Sequence, residues 1–284
     1  MKPSSVTMFT HSRPGDTGAA LRRIAELAGE AGVEVRLPAA EVEKHGLVPG
    51  AVEAPEGEAV RDTGLAVVLG GDGTILTHLR DFAGTGVPVF AVNYGAIGFL
   101  ATVEPWELDD GLRRALQGQF DVMELPGLLA ETGDGERLAV NDLSLHRRPN
   151  GRVAELAYSV EGEELGEVRC DGLVASTPAG STGYNLANGG PVLAWGVEGF
   201  IVSFIAPHTL TARSLVVAPD DHLEVTNRSA SDEVDVITDG RSVGALAPGG
   251  SMGIRFAHRQ ALLAQAPGAT FYHRLRDKFG RLSH

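Results

Sequence analysis

The sequence predicts an α/β N-terminal domain, Rossmann-like with a mostly parallel sheet, followed by an all-β, sandwich-like C-terminal domain. Across residues 1–120, apolar runs such as Leu65-Ala66-Val67-Val68-Leu69 alternate with segments of helical period, the pattern of parallel strands buried on both faces. After Phe120 the apolar segments become short and are separated by tight turns, as in antiparallel sheets. The chain has 284 residues with 43% hydrophobic types, enough for two domains of ordinary size.

Taken in order, Leu21, Ile24, Ala25, Ala28 and Ala31 fall at helical spacing and predict an amphipathic helix over 19–31, stopped by Gly32. Val33, Val35 and Leu37 alternate as in a strand, and the Pro-, Gly- and Glu-rich stretch from Pro38 to Glu58 reads as a mobile connection. Strands are expected over 65–69 and 87–92, with helices from about Thr74 and over 107–117. In the second half, Leu138-Ala139-Val140, Ala157 to Val160 and Leu223-Glu224-Val225 read as strands, with turns at Gly133-Asp134-Gly135 and Glu161-Gly162. A final Arg- and Lys-rich helix is expected over 268–284, packing back on the first domain.

Lys plus Arg number 24 against 37 for Asp plus Glu, a formal charge of -13 that repels nucleic acid and anionic membranes over most of the surface. An anionic ligand must therefore enter a local positive site. The single cysteine, Cys170, rules out an intrachain disulfide and a cysteine-built zinc site. No apolar run suits a transmembrane helix and no signal-peptide pattern follows Met1, so a cytoplasmic protein is expected.

Gly70-Gly71-Asp72-Gly73-Thr74 follows a buried strand directly, where glycines bring backbone N–H groups close to phosphate and the next helix adds partial positive charge. It is neither a Walker loop nor a dinucleotide fingerprint, since it has no GxxxxGK[ST] pattern and position 76 is Leu76. Asp72 would repel phosphate unless it had another task, so it is read as a general base; Asp72-Gly73 is also an ordinary turn dipeptide. Asn93-Tyr94-Gly95-Ala96-Ile97-Gly98-Phe99-Leu100 ends the next parallel strand at the same sheet edge, with Phe99 offering either a ring platform or a core side chain.

Asn141-Asp142 places two polar groups inside an apolar β pattern, suited to a ribose diol or to a turn at a strand end. The segment from Arg169 through Asp171 to Tyr184 is a strand feeding a turn rich in glycine and hydroxyls, extended by Asn185, Asn188, Gly189 and Gly190. Within it, Ala179-Gly180-Ser181-Thr182-Gly183 differs by one residue from the G-x-S-x-G elbow of hydrolases, which would make Ser181 a nucleophile.

Together, Gly70 to Thr74, Asn93 to Leu100, Asn141-Asp142 and Asp171 to Tyr184 resemble the ordered signature of the NAD kinases over essentially the whole chain. The resemblance implies transfer of the γ-phosphoryl group of ATP, or of polyphosphate, to the 2′-hydroxyl of the adenosine ribose of NAD, with a divalent cation, usually Mg²⁺. It implies a phosphoryl-donor and catalytic-loop domain over 1–120, an NAD-binding domain over 121–267, and a homodimer or homotetramer. It carries the proton acceptor onto Asp72 beside Gly73, and dinucleotide contacts onto Asn141, Asp142, Arg169 and Asp171. Further contacts fall on Thr182, Gly183, Tyr184, Asn185, Leu186 and Ala187, with Tyr184 as ring partner and Phe99 as a wall of the nicotinamide pocket. The chain departs from the commoner motif at Ala179 and Gly183, both small changes, and at Arg241, where glutamine is frequent and a guanidinium could address phosphate. The competing readings are a lipid kinase of the diacylglycerol type, which shares the GGDGT loop, the Ser181 hydrolase, and a nucleotide sensor without turnover.

Overall fold

The computed structural model describes residues 2–47, 57–133, 135–149 and 151–280. The chain divides into two compact units, Met1–Glu124 with Ala261–His284, and Leu125–Gln260.

The first unit opens with β1 (Ser5–Thr10), α1 (Pro14–Ala31), β2 (Glu34–Arg36), α2 (Ala39–Lys44), β3 (Leu65–Gly70), α3 (Asp72–Asp81), β4 (Val89–Asn93) and α4 (Leu108–Leu116). The strands pair in parallel in the order β2-β1-β3-β4. Residues Leu65 to Leu69 are wholly buried because helices cover both faces of the sheet. Leu65, Val67 and Leu69 join Ile24 of α1 and Leu112 of α4 in one cluster. On the other face, Phe9 of β1 stacks on His78 of α3 at 4.1 Å. Each fully buried aliphatic side chain contributes about 1.5–3 kcal/mol, so a run of five fixes this strand as the centre of the unit.

Two elements differ from the sequence expectation. The helix α1 begins at Pro14 rather than Ala19; Pro14 suits the first helical position, and Gly32 closes the helix at φ 67 as expected. The stretch after Pro38 contains α2, which is held by tertiary contacts that no local pattern reveals. The Thr10 hydroxyl donates to the Glu41 carboxylate at 2.7 Å and the Lys44 ammonium to the Thr10 carbonyl at 2.8 Å. Residues 48–56 of the expected connection lie outside the described residues.

The chain continues through β5 (Asp121–Thr132), β6 (Gly135–Ala139), β7 (Asp142–Arg147), β8 (Ala154–Val160), β9 (Glu163–Cys170) and β10 (Gly172–Ser176). A short helix α5 (Tyr184–Ala187) follows, then β11 (Phe200–Ile205), β12 (Leu215–Val217), β13 (Leu223–Asn227), β14 (Val234–Thr238), β15 (Arg241–Leu246) and β16 (Ser251–Gln265). In the second unit one antiparallel sheet runs β12-β11-β10-β7-β14-β15. The other runs from the first part of β16 through β13 and β8 to β9. Leu145, Leu173 and Phe200 of one sheet pack with Leu156, Val225 and Ile254 of the other, which makes this unit a sandwich. The β5–β6 hairpin is present, while Asp134 of its turn lies outside the described residues.

The last residues of β16 pair in the first unit, Leu263 beside Val89, and α6 (Phe271–Phe279) follows, with the Thr270 hydroxyl accepting from the His273 N–H. The expected helix continues to 284, of which 281–284 lie outside the described residues. Among the described residues no helix is long and apolar enough to cross a membrane.

Candidate active site

In the first unit the site begins where β3 ends. The helix α3 starts at Asp72, with Gly71 as its cap residue and the Thr74 and Ile75 N–H groups returning to the Gly71 carbonyl. The N–H groups of Asp72 and Gly73 therefore head the helix without an intrahelical acceptor, an arrangement that takes an anion. Gly73 is exposed, and a Cβ placed on it would meet nothing within 4 Å, so the backbone here is open to a close-lying ligand.

The half-buried Asp72 carboxylate faces the end of β4. Its Oδ2 accepts from the Phe99 N–H at 2.9 Å and its Oδ1 from the Leu100 N–H at 2.8 Å. Each oxygen keeps lone-pair capacity, so the group is oriented without being saturated. The two glycine loops meet backbone to backbone. A Cβ on Gly95 would lie 2.6 Å from the Gly71 Cα, and the Tyr94 N–H donates to the Gly70 carbonyl at 2.9 Å. Asn93 closes the second loop: its Oδ1 accepts from the Gly95 N–H at 2.9 Å, and its Nδ2 donates to the Glu104 carboxylate at 3.0 Å. The Asn93 amide occupies the space a side chain at Gly98 would need, which explains glycine there at φ 69.

In the second unit, Asn141 and Asp142 enter β7 under the control of Asp239. Asp239 and Gly240 have φ 47 and 75 and form the two-residue turn between β14 and β15, the left-handed geometry that Asp-Gly favours. The Asp239 carboxylate accepts from the N–H groups of Val140 at 2.9 Å, Asn141 at 2.8 Å and Asp142 at 3.2 Å. Gly180 packs on the same backbone, where a Cβ would lie 2.1 Å from the Asn141 carbonyl oxygen.

This leaves polar atoms in want of partners. The Asn141 Oδ1 is buried without a hydrogen bond. Burial, and then the Asp239 charge, push the Asp142 carboxyl up to about 7. The Tyr184 ring lies parallel to the His146 imidazole at 5.6 Å and 5°. Burial, with Asp142 and Asp171 adding to it, raises the Tyr184 phenol, and burial holds the His146 imidazole low. Asp171 is ion-paired to Arg147 at 2.5 Å.

Other expected site residues fare differently. Arg169 lies in the opposite sheet from β7 and β10, largely exposed and 3.2 Å from Glu155. Phe99 is 5% exposed, with its ring packed among Phe271 and Phe279, so its side chain is core and its contribution to the site is its backbone N–H. Asn185 is wholly buried and donates to the carbonyls of Ser181 and Pro191, bracing the turn from within. The Thr182 hydroxyl donates to the Ala179 carbonyl at 3.4 Å; Gly183 and Ala187 are exposed and Leu186 is half-buried. Arg241 is exposed at the start of β15. Ser181 is wholly buried, and its hydroxyl's hydrogen-bond partners are the backbone groups of Pro178 and Leu193, which removes the nucleophile of the hydrolase reading.

Sequence reasoning missed the carboxylate clamp of Asp239, the ring partner His146 and the loop contacts of Arg274. The Asp-Gly dipeptide between alternating strands signals the turn at 239; neither His146 nor Arg274 carries a local signal.

A carboxylate oriented at a helix start in an α/β unit, and a following sandwich with a buried amide oxygen that has no hydrogen bond, accompany matches to one class of protein, the nucleotide-dependent phosphotransferases, or kinases. Residues 40–120 match the ATP-NAD kinase N-terminal domain, and residues 140–266 match the ATP-NAD kinase C-terminal domain. A NAD kinase of Gemmatimonas aurantiaca is 35% identical over 238 residues, spanning 80% of this chain and 82% of the relative. One of Symbiobacterium thermophilum is 37% identical over 230 residues, spanning 79% and 81%. An Archaeoglobus fulgidus NAD kinase solved in complex with ATP superposes with a TM-score of 0.76 at 25% identity, covering 98% of each chain. Yeast NADH kinase complexed with NADH superposes at 0.85 over 99% of this chain and 89% of that one, and at 22% identity it shows the shared fold. The chain belongs to the NAD kinase family.

Proposed function

We propose that the protein transfers the γ-phosphoryl group of ATP to the 2′-hydroxyl of the adenosine ribose of NAD, forming NADP, with Asp72 as proton acceptor. The ribose oxygen bonds to the γ-phosphorus as the bond to the β–γ bridging oxygen breaks. The proton passes to Asp72, and ADP leaves. The observation that carries this reading is the Asp72 carboxylate, oriented by two backbone N–H groups at a helix start beside the open Gly73. A well-placed base contributes about 10²- to 10⁴-fold, and positioning with charge neutralisation supplies the rest.

In the second unit, the unpaired Asn141 Oδ1 and the Asp142 carboxyl suit ribose hydroxyl donors, and the Tyr184–His146 pair suits a flat ring. Asp171, whose charge acts on the Tyr184 phenol, and the Thr182 to Ala187 turn belong to the same region, while Arg241 stands exposed at the start of β15. Among the described residues no group of three His, Cys, Asp or Glu side chains gathers to hold a metal. A divalent cation would be held through the oxygens of the triphosphate, where it screens charge. An assembly of two or four copies fits the exposed Leu210, Leu215 and Val216 on and beside the edge strand β12. The buried free thiol of Cys170, pushed up to about 12 by burial, is at home in the reducing cytoplasm.

The test is to incubate the purified protein with Mg²⁺ and either ATP or polyphosphate, offering NAD, NADH or diacylglycerol as acceptor. NADP formed from ATP and NAD is expected; phosphorylated lipid without NADP would overturn the reading.

A further inference from the structure

We propose that Arg274, on α6, is a positioning residue for phosphoryl transfer, fixing the peptide group that holds Asp72. The proposal rests on Asp72 being the proton acceptor. The Arg274 Nη1 donates to the carbonyls of Phe99 at 2.7 Å and Ala101 at 2.5 Å, and its Nη2 donates to the Gln265 Oε1 at 2.5 Å. The Phe99 carbonyl and the Leu100 N–H belong to one planar peptide group, and that N–H is the donor to the Asp72 Oδ1 at 2.8 Å. Oxygen and hydrogen point to opposite sides of a trans peptide, so the guanidinium and the carboxylate hold one rigid plate from its two edges. Rotating the plate to release the carbonyl also takes the N–H away from Asp72. A cation on the carbonyl further polarises the N–H toward the carboxylate.

Three features make this more than a helix staple. The fork is fixed at both ends, because Gln265 is only 3% exposed and its oxygen must face Arg274. Burial alone would lower the Arg274 guanidinium, and Asp72 and Glu104 oppose that shift, so it remains charged at neutral pH at about 10. A second cation of the same helix acts on the neighbouring loop. Lys278 pairs with Glu104 at 2.5 Å; Glu104 accepts from Asn93, which holds the Gly95 N–H against the catalytic glycines. A residue that only anchored α6 would have no need of the peptide group that orients Asp72.

The experiment compares Arg274→Ala, Arg274→Lys and Asp72→Asn in the full chain, by steady-state kinetics well below each variant's unfolding midpoint. For Arg274→Ala, kcat should fall about tenfold or more while KM for NAD stays within about threefold, and added guanidinium at low millimolar concentration should restore part of kcat. Arg274→Lys keeps the charge but not the planar fork, and should lose about threefold or more in kcat. If Arg274→Ala does not fold, Arg274→Lys decides alone. Wild-type kcat in the Arg274 variants, or equal changes in kcat and KM without guanidinium rescue, overturns the proposal if Asp72→Asn is inactive. Turnover retained by Asp72→Asn overturns the proton-acceptor reading itself.

Discussion

The carboxylate of Asp239 accepts the N–H of Asn141 at 2.8 Å, tying a hairpin turn to the entry of the strand that carries the polar pair. The same carboxylate holds the N–H groups on either side. Asp239→Ala leaves three backbone donors without their acceptor, and hydrogen bonds to a charged group are worth about 1.5–3 kcal/mol each. Steady-state kinetics should show KM for NAD raised about tenfold or more, with a smaller change in kcat. An unchanged KM would mean that the turn does not shape the NAD site.

Asp142 gives a pH dependence of defined sign. Its carboxyl is raised from 3.8 to about 7 in the folded protein, chiefly by burial. Below the unfolded value both states are protonated and the group carries no penalty. As pH rises toward 7 the unfolded chain ionises first, and folding loses stability, by at most roughly 4 kcal/mol once the folded value is passed. Asp142→Asn removes this loss, so its gain in Tm over the wild type should grow from about pH 5 to about pH 8 while NAD binding weakens. A Tm difference that does not vary with pH would contradict the assignment.

Gly73 separates stability from activity. It lies in the first turn of α3 with open space where a Cβ would stand. Gly73→Ala should raise stability by about 0.5–1 kcal/mol through helix propensity. The added methyl occupies the approach to the helix N-terminus, so kcat/KM for ATP should fall about tenfold. Thermal unfolding and ATP titrations on one sample check both halves.

Ser181 tests the discarded hydrolase reading. Among the described residues its hydroxyl's partners are backbone groups of Pro178 and Leu193. Ser181→Ala should cost about 1–3 kcal/mol of stability for the buried backbone group left unpaired, with no ester hydrolysis in wild type or variant. Ester cleavage abolished by the substitution would reinstate the nucleophile.

What the sequence made legible follows from how local each cause is. β3 is legible because a strand covered on both faces must be apolar at every position, as Leu65 to Leu69 are. The Asp72 loop is legible as a turn because paired glycines directly after a buried strand predict a tight passage into a helix, as β3 and α3 show. The helix α2 is not, because Glu41 and Lys44 find their partners on Thr10, a strand away. Phe99 misleads because a ring beside a glycine loop can face ligand or core, and Phe271 and Phe279, far along the chain, settle it for the core. The Asp239 clamp depends on the pairing of β14 with β7, which brings Thr238 opposite Leu143, a register that no local pattern contains.

The central claim is that Asp72 accepts the ribose proton. Asp72→Asn preserves shape but turns one of the two accepting oxygens into an NH2 donor, so one of the Phe99 and Leu100 N–H groups loses its acceptor at a cost of about 1–3 kcal/mol, and the fold should persist. NADP formation from ATP and NAD, measured beside NAD affinity, is the most direct test. The account predicts a fall in kcat of at least about 10²-fold with NAD affinity within a few-fold of wild type; a variant that binds NAD normally and turns over at the wild-type rate would contradict it.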